Sequence, residues 1–295
     1  MMRVAITGAT GLVGTALGAF LRKAGHVVIP ISRHRMRDGV QWDPASGTLD
    51  AAALTEIDAM VHLAGENIAA KRWTEERKQQ LLDSRVGPTD LLARTLAGMK
   101  HPPTVLVSAS AVGIYGDCGD AVVDETTPPA DDFLGQLATR WEGAADPARD
   151  AGIRVAHPRF APILSKDGGA LARMLPPFRL GLGGPLAGGD HWMPWVSIQD
   201  AVRAVVFLID HSSLNGPFNV SAPGVVRNAA FTQALADAVH RPAIVPVPRL
   251  ALRLLFGELA DAALLTSTRA VPAKLGAAGF RFELPDIEAA LAVLA

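Results

Sequence analysis

A chain of 295 residues, 49% of them hydrophobic, can bury the core of one large α/β unit, alone or with a smaller lobe. Its 28 basic and 29 acidic residues leave a net charge of −1, so no electrostatic pull toward nucleic acid or an anionic membrane is expected. A single cysteine, Cys118, excludes an intrachain disulfide and fits a reducing compartment. No apolar run reaches the roughly 18 residues of a membrane span. The first strand-like run begins at Arg3, so no secretion signal is expected. The expectation is a soluble cytoplasmic protein.

Apolar β-rich runs alternate with longer helical patterns through the first half. Strands are predicted over 3–7, 27–32, 59–64, 104–109 and 154–158, and helices over 12–24, 74–99 and 133–151. Strands alternating with helices imply βαβ units, hence a Rossmann-like, doubly wound parallel sheet in the α/β class. Beyond about residue 165, Gly168-Gly169, Pro176-Pro177 and the glycines of 181–189 break the chain into short pieces. Helical runs follow at 199–210, 228–240 and 249–265. The predicted organisation is a nucleotide-binding domain over 1–165, with elements returning from about 190–220. A smaller α/β lobe covers 166–295, and the substrate cleft lies between the two.

The stretch VAITGATGLVG places Gly8, Gly11 and Gly14 between the first strand and the first helix. A tight turn needs positive φ, a diphosphate needs bare backbone to approach, and the helix must pack closely on the strand. The helix N-terminus then holds the anion. Gly8, Thr10, Gly11, Leu12, Val13 and Gly14 are therefore candidate cofactor-binding residues; a glycine-rich turn without ligand is the competing reading. An NAD enzyme places an acidic residue at the end of the second strand, to accept from the ribose 2′-hydroxyl. Here the chain reads Pro30-Ile31-Ser32-Arg33-His34-Arg35, without a carboxylate. A hydroxyl followed by cations suits a 2′-phosphate, so NADP(H) is expected in preference to NAD, with Ser32 and Arg33 as contacts. The alternative is a solvated basic loop.

The T-G-x-x-G-x-x-G spacing resembles extended short-chain dehydrogenases/reductases, the nucleotide-sugar epimerase and dehydratase superfamily. HLAGENI at 62–68, RWT at 72–74, SASAVGIYG at 108–116, GLGGPL at 181–186, AVPAKL at 270–275 and GFRF at 279–282 resemble one subgroup of it. These are the atypical "epimerase family" proteins with a carboxyl-terminal extension, most of them without assigned substrates. The resemblance runs nearly end to end. It implies that Leu63, Ala64 and Gly65 stand beside the cofactor at a strand end, with Ser108 and Pro162 nearby. Arg85 then either reaches a phosphate or ribose or is a helix-surface charge. Ser110 aligns with the catalytic Ser/Thr, whose hydroxyl polarises a substrate oxygen.

The superfamily's Tyr-x-x-x-Lys dyad is absent: residues 131–142 hold neither residue type, and Tyr115 is the only tyrosine. Two replacements for the missing acid/base group are expected. Tyr115 sits in a loop near substrate entry, or is an aromatic loop anchor. Glu66 acts as a base if its pKa is raised, or is a local cap. Asp124-Glu125 reads as a surface loop pair, and Lys71-Arg72 with Arg77-Lys78 as a solvated helix start. Trp192 and Trp195, with Asp190 and His191, either line the cleft or pack between lobes. Asp200 reads as a helix cap. Ala161 replaces the usual glycine. Scattered histidines make a metal site unexpected. Helix 249–265 is apolar enough to pack on its lobe or to form a subunit contact, leaving monomer and homodimer both open. The expected activity is that of an NADP(H)-dependent oxidoreductase or epimerase-like enzyme on a small, possibly sugar-like substrate. The rival is a non-catalytic NADP sensor or interaction protein, since some relatives are linked to cell or plastid division.

Overall fold

A computed structural model describes residues 1–295 apart from Arg35 and Arg37. In chain order its first elements are β1 (Arg3–Thr7), α1 (Leu12–Lys23), β2 (Val27–Ser32), β3 (Val40–Asp43), β4 (Thr48–Leu49) and β5 (Ala59–His62). There follow α2 (Glu75–Ala97), β6 (Val105–Ser108), β7 (Ser110–Ala111), β8 (Val122–Val123), α3 (Phe133–Gly143), α4 (Asp146–Asp150) and β9 (Arg154–Phe160). Nine strands form one sheet in the order β13-β9-β6-β5-β1-β2-β3-β4, where β13 is Gly216–Val220 and β7 joins alongside β9. All its pairs are parallel except β3 with β4. The order reverses between β1 and β5, the point where doubly wound sheets open a ligand crevice.

Side-chain alternation explains the layers. Val4 and Ile6 of β1 point into one core with Leu17 and Leu21 of α1 and with Ala201–Ile209 of α6 (Ile198–Asp210). Ala5, between them, points to the opposite face, where Leu92 and Leu96 of α2 and Ala148 of α4 close a second core. The chain beyond β9 runs through β10 (Ile163–Ser165), α5 (Gly169–Arg179), β11 (Trp192–Met193) and β12 (Val196–Ser197) into α6. β12 pairs with β10 and α6 packs beside α1, so this segment and β13 return to the first unit. A third core of Leu171, Leu175, Trp195, Phe231 and Leu291 joins α5, α7 (Asn228–Ala238) and the last helix, Ile287–Leu294.

Two predicted helices and one predicted break differ. Residues 133–151 form two helices, because Pro147 lacks the N–H that would bond Gly143 and stands instead at the start of α4. Residues 249–265 stop at Phe256, where Gly257 takes φ 62°, and continue as a single π turn over Ala260–Leu264. Pro176 and Pro177 do not break the chain: they lie inside α5, whose last turn is held by burial of Leu171, Leu175 and Phe178 along one face.

Candidate functional site

A cavity of about 1030 Å³ opens at the carboxyl ends of β1, β2 and β5. That is near the upper end of ligand-pocket size. Its floor is the glycine turn. Gly8 has φ 65°, and a Cβ there would stand 2.8 Å from the Leu63 carbonyl oxygen; a Cβ on Gly14 would fall 2.2 Å from the Gly8 oxygen. Only glycine fits both places. No side chain caps the first turn of α1, so its N–H groups face the turn without a protein acceptor from a capping residue. Gly8, Thr10, Gly11, Ser32, Arg33, Leu63, Ala64 and Gly65 line the cavity. Arg35 lies outside the described residues.

The other expected cofactor residues stand behind this lining. Gly14 is buried under the turn, with Val13 partly buried beside it, and Leu12 packs on the turn at Gly168–Gly169. Pro162 accepts from the Val196 N–H, and Ser108 is fully buried with its hydroxyl unpartnered among the described residues. The reading of Arg85 as a helix-surface charge is corrected. The side chain is buried, donates to the carbonyls of Glu66 (2.8 Å) and Leu81 (3.1 Å), and stacks over Trp141. Burial pulls its guanidinium down to about 10.

His62, at the end of β5, organises the wall. Thr7 Oγ1 accepts from the Leu63 and Ala64 N–H groups at 3.1 and 3.3 Å, so its own proton goes to His62 Nδ1 at 2.7 Å. Thr89 donates to the Arg85 carbonyl at 2.6 Å and therefore accepts from His62 Nε2–H at 3.0 Å and from Trp141 Nε1–H at 3.1 Å. This network dictates the neutral Nε2–H tautomer, and complete burial pulls the imidazole down to about 4.

Glu66 lines the cavity, but not as a group with a raised pKa. The Arg77 hydrogen bond holds its carboxyl below the usual range against the opposing effect of burial, and the charges of Arg77, Lys71 and Arg33 add to the lowering. Arg77 itself is buried rather than solvated. Sequence reasoning missed this residue, and also Arg140, Ser84 and the β3–β4 hairpin, whose Trp42, Asp43 and Pro44 close one side of the cavity. The signals were present. Val40 and Trp42 alternate with exposed residues, and Arg77 and Arg85 fall in step with Leu81, Leu92 and Leu96 on the buried stripe of α2.

Ser110 and Tyr115 lie outside the cavity lining. Ser110 pairs in register with Arg159, and its hydroxyl donates to Glu142 Oε1 at 2.7 Å. Arg159 grips the same carboxylate through Nε and Nη2 at 2.8 and 2.9 Å and donates from Nη1 to the Tyr115 hydroxyl at 2.9 Å. Tyr115 donates in turn to Asn219 Oδ1 at 2.8 Å. Burial pushes the Glu142 carboxyl up, but the Arg159 and Ser110 hydrogen bonds and nearby cations outweigh it and leave the group below its ordinary range. The Tyr115 phenol is raised by burial. Of the two readings of Tyr115, the aromatic anchor describes its placement: the residue is 3% exposed, in a 3₁₀ turn over Val112–Tyr115, with its hydroxyl hydrogen-bonded.

Other expectations resolve in the same way. Trp195 is core, while Trp192 is half-buried between Arg227 and Arg269. Glu125 is buried, not on the surface, and accepts from the Asn219 and Lys274 N–H groups. Ser197, not Asp200, caps α6; Asp200 is the third residue of the helix, fully buried, and accepts from the Glu283 and Leu284 N–H groups. Among the described residues no three His, Cys, Asp or Glu side chains gather as metal ligands, and no helix is long and apolar enough to cross a membrane.

Similarity to known proteins agrees with this geometry. Residues 247–294 match a domain of unknown function, DUF1731. Epimerase family protein Mb2239 of Mycobacterium bovis is 45% identical over 290 residues, covering 98% of this chain and 96% of that protein. Epimerase family protein SDR39U1 of Homo sapiens is 36% identical over 293 residues, covering 98% of both. The crystal structure of human SDR39U1 isoform 2 with NADPH superposes with a TM-score of 0.93 at 35% identity, over 100% of this chain and 99% of that one. With residues 4–221 matching its profile, the chain belongs to the NAD dependent epimerase/dehydratase family.

Proposed function

We propose that the protein binds NADP(H) in this cavity and acts as an oxidoreductase or epimerase-like enzyme on a small hydroxylated, sugar-like substrate, without a Tyr-x-x-x-Lys dyad. One observation carries the reading: a cradle that only glycine fits lines the cavity together with the Ser32 hydroxyl and the Arg33 guanidinium. The bare backbone of Gly8–Gly11 and the first turn of α1 would hold the diphosphate. Ser32 and Arg33 would hold the 2′-phosphate by charge-assisted hydrogen bonds. The NADPH bound to human SDR39U1 supports this choice of dinucleotide. When bound, the nicotinamide supplies a hydride donor or acceptor.

The remaining chemistry belongs to the protein. Ser110 gives its proton to Glu142, so its lone pairs are what it can offer a substrate hydroxyl. Tyr115 acts behind it, holding Arg159 against Glu142. A second reading, a non-catalytic NADP sensor, is favoured by the burial of both residues, 2% exposed at Ser110 and 3% at Tyr115.

Calorimetric titration with NADPH, NADP, NADH and NAD, on the wild type and on Arg33→Ala, tests the proposal. NADPH should bind at least about tenfold tighter than NADH, and the variant should lose that preference. Folded protein that binds no dinucleotide overturns both readings. Tight NADPH binding without turnover across a panel of sugar hydroxyls and carbonyls overturns the enzyme and leaves the sensor.

A further inference from the structure

The Glu66 carboxylate shares the cavity wall with Ser32, Arg33 and His34. Its side chain is 47% exposed, so the charge faces the ligand space. A carboxylate there can do two things. It can accept from a ribose 2′-hydroxyl, as an NAD site does, or it can repel a 2′-phosphate.

We propose that Arg77 sets the preference for NADP(H) over NAD(H) by holding Glu66 as its counter-ion at the phosphate end of the cavity. The inference rests on the NADP(H) reading above. Arg77 rises from the first turn of α2, only 6% exposed, and donates from Nη1 to Glu66 Oε2 and from Nη2 to the Asn67 carbonyl at 3.0 Å. Its Nε is buried without a partner among the described residues, so Glu66 is the one carboxylate its guanidinium engages. Arg85 fixes the backbone beneath, donating to the Glu66 carbonyl at 2.8 Å. Engaged in this way, Glu66 is a poor acceptor for a 2′-hydroxyl and a weak source of repulsion. Arg33 is left to act on the phosphate.

Calorimetric titration of NADPH and NADH against the full chain separates this role from a structural one. Arg77→Gln frees a negative charge in the cavity wall, which should lower NADPH affinity relative to NADH by roughly 3- to 30-fold. Glu66→Gln leaves the Arg77 cation without its counter-ion and should raise the ratio by a similar factor; the double variant, neutral at both positions, should return it to near the wild-type value. Both shifts should shrink at high salt, because the carboxylate is half-exposed. Equal weakening of both dinucleotides in Arg77→Gln, or no rescue by Glu66→Gln, overturns the proposal. If Arg77→Gln does not fold, the near-isosteric Glu66→Gln decides alone, and an unchanged ratio refutes it. Failure of the underlying reading is distinct: Arg33→Ala would then leave the NADPH to NADH ratio untouched.

Discussion

Exchanging His62 for glutamine should flatten the acid dependence of stability. Glutamine is uncharged throughout, and it can still donate to Thr89 and accept from Thr7. The wild-type imidazole cannot take a proton at Nδ1 without facing a Thr7 oxygen whose lone pairs are both occupied. Its folded pKa of about 4 therefore lies below the unfolded value near 6.5. Between those values the unfolded chain binds the extra proton, so stability is fully present above about pH 6.5 and falls as the pH drops toward 4. Integrating that difference gives a loss of about 2 kcal/mol between pH 8 and pH 5, and about 3 kcal/mol by pH 4. Urea unfolding of wild type and His62→Gln at pH 8, 7, 6 and 5 measures it. The gap between the two proteins should narrow by about 2 kcal/mol on going from pH 8 to pH 5. His157, also lowered by burial, titrates in both proteins and cancels in the difference. Parallel curves would refute the assigned tautomer and network together.

Two further perturbations address the turn and the buried ion pair. Gly14→Ala forces a Cβ to within 2.2 Å of the Gly8 oxygen, so calorimetry should show NADPH binding lost and thermal unfolding should show a substantial drop in stability. Arg159→Leu leaves the Glu142 carboxylate buried without its cation and should cost about 3–5 kcal/mol. Restoring neutrality with Glu142→Gln in the same chain should recover part of that loss in urea unfolding, and additive losses would show that the two residues do not act as a pair.

The glycine turn was legible because its geometry allows one residue type at each of two positions, and sequence records residue type directly. The sheet was legible because period-two alternation and helical stretches between strands leave few topologies. What escaped were partnerships made across the chain. Arg77 reads as part of a basic run with Lys78, yet it sits on the leucine stripe of α2 and turns inward. Glu66 reads as a base awaiting a raised pKa, because its lowering comes from a guanidinium eleven positions away. Glu125 and Asn219 carry no local pattern at all, and Asp200 carries only that of a helix start. Each is defined by backbone groups tens of residues distant, and composition or periodicity contains no term for that.

Those three residues also explain why the carboxyl-terminal segment is more than an appendage. Glu125 accepts from the N–H of Lys274, and Asp200 from those of Glu283 and Leu284. Arg269–Ala270 pairs with β8, and Thr268 donates to the carbonyl of Gly116, directly after Tyr115. The Val271 carbonyl accepts from Asn219 Nδ2 at 3.0 Å, which turns Asn219 Oδ1 toward the Tyr115 hydroxyl. That orientation leaves Tyr115 one role, to donate to Asn219 and accept from Arg159. Arg159 then grips Glu142, and Glu142 takes the Ser110 proton. Within this network Arg159 can only donate and the Glu142 carboxylate only accept, so the bond whose direction a carbonyl in the final 25 residues fixes is the one between Tyr115 and Asn219. A chain ending before residue 271 would leave the Asn219 amide free to rotate and the Tyr115 hydroxyl free to reverse. The segment of unknown function completes the polar network around Ser110, and the two matched regions form one physical unit.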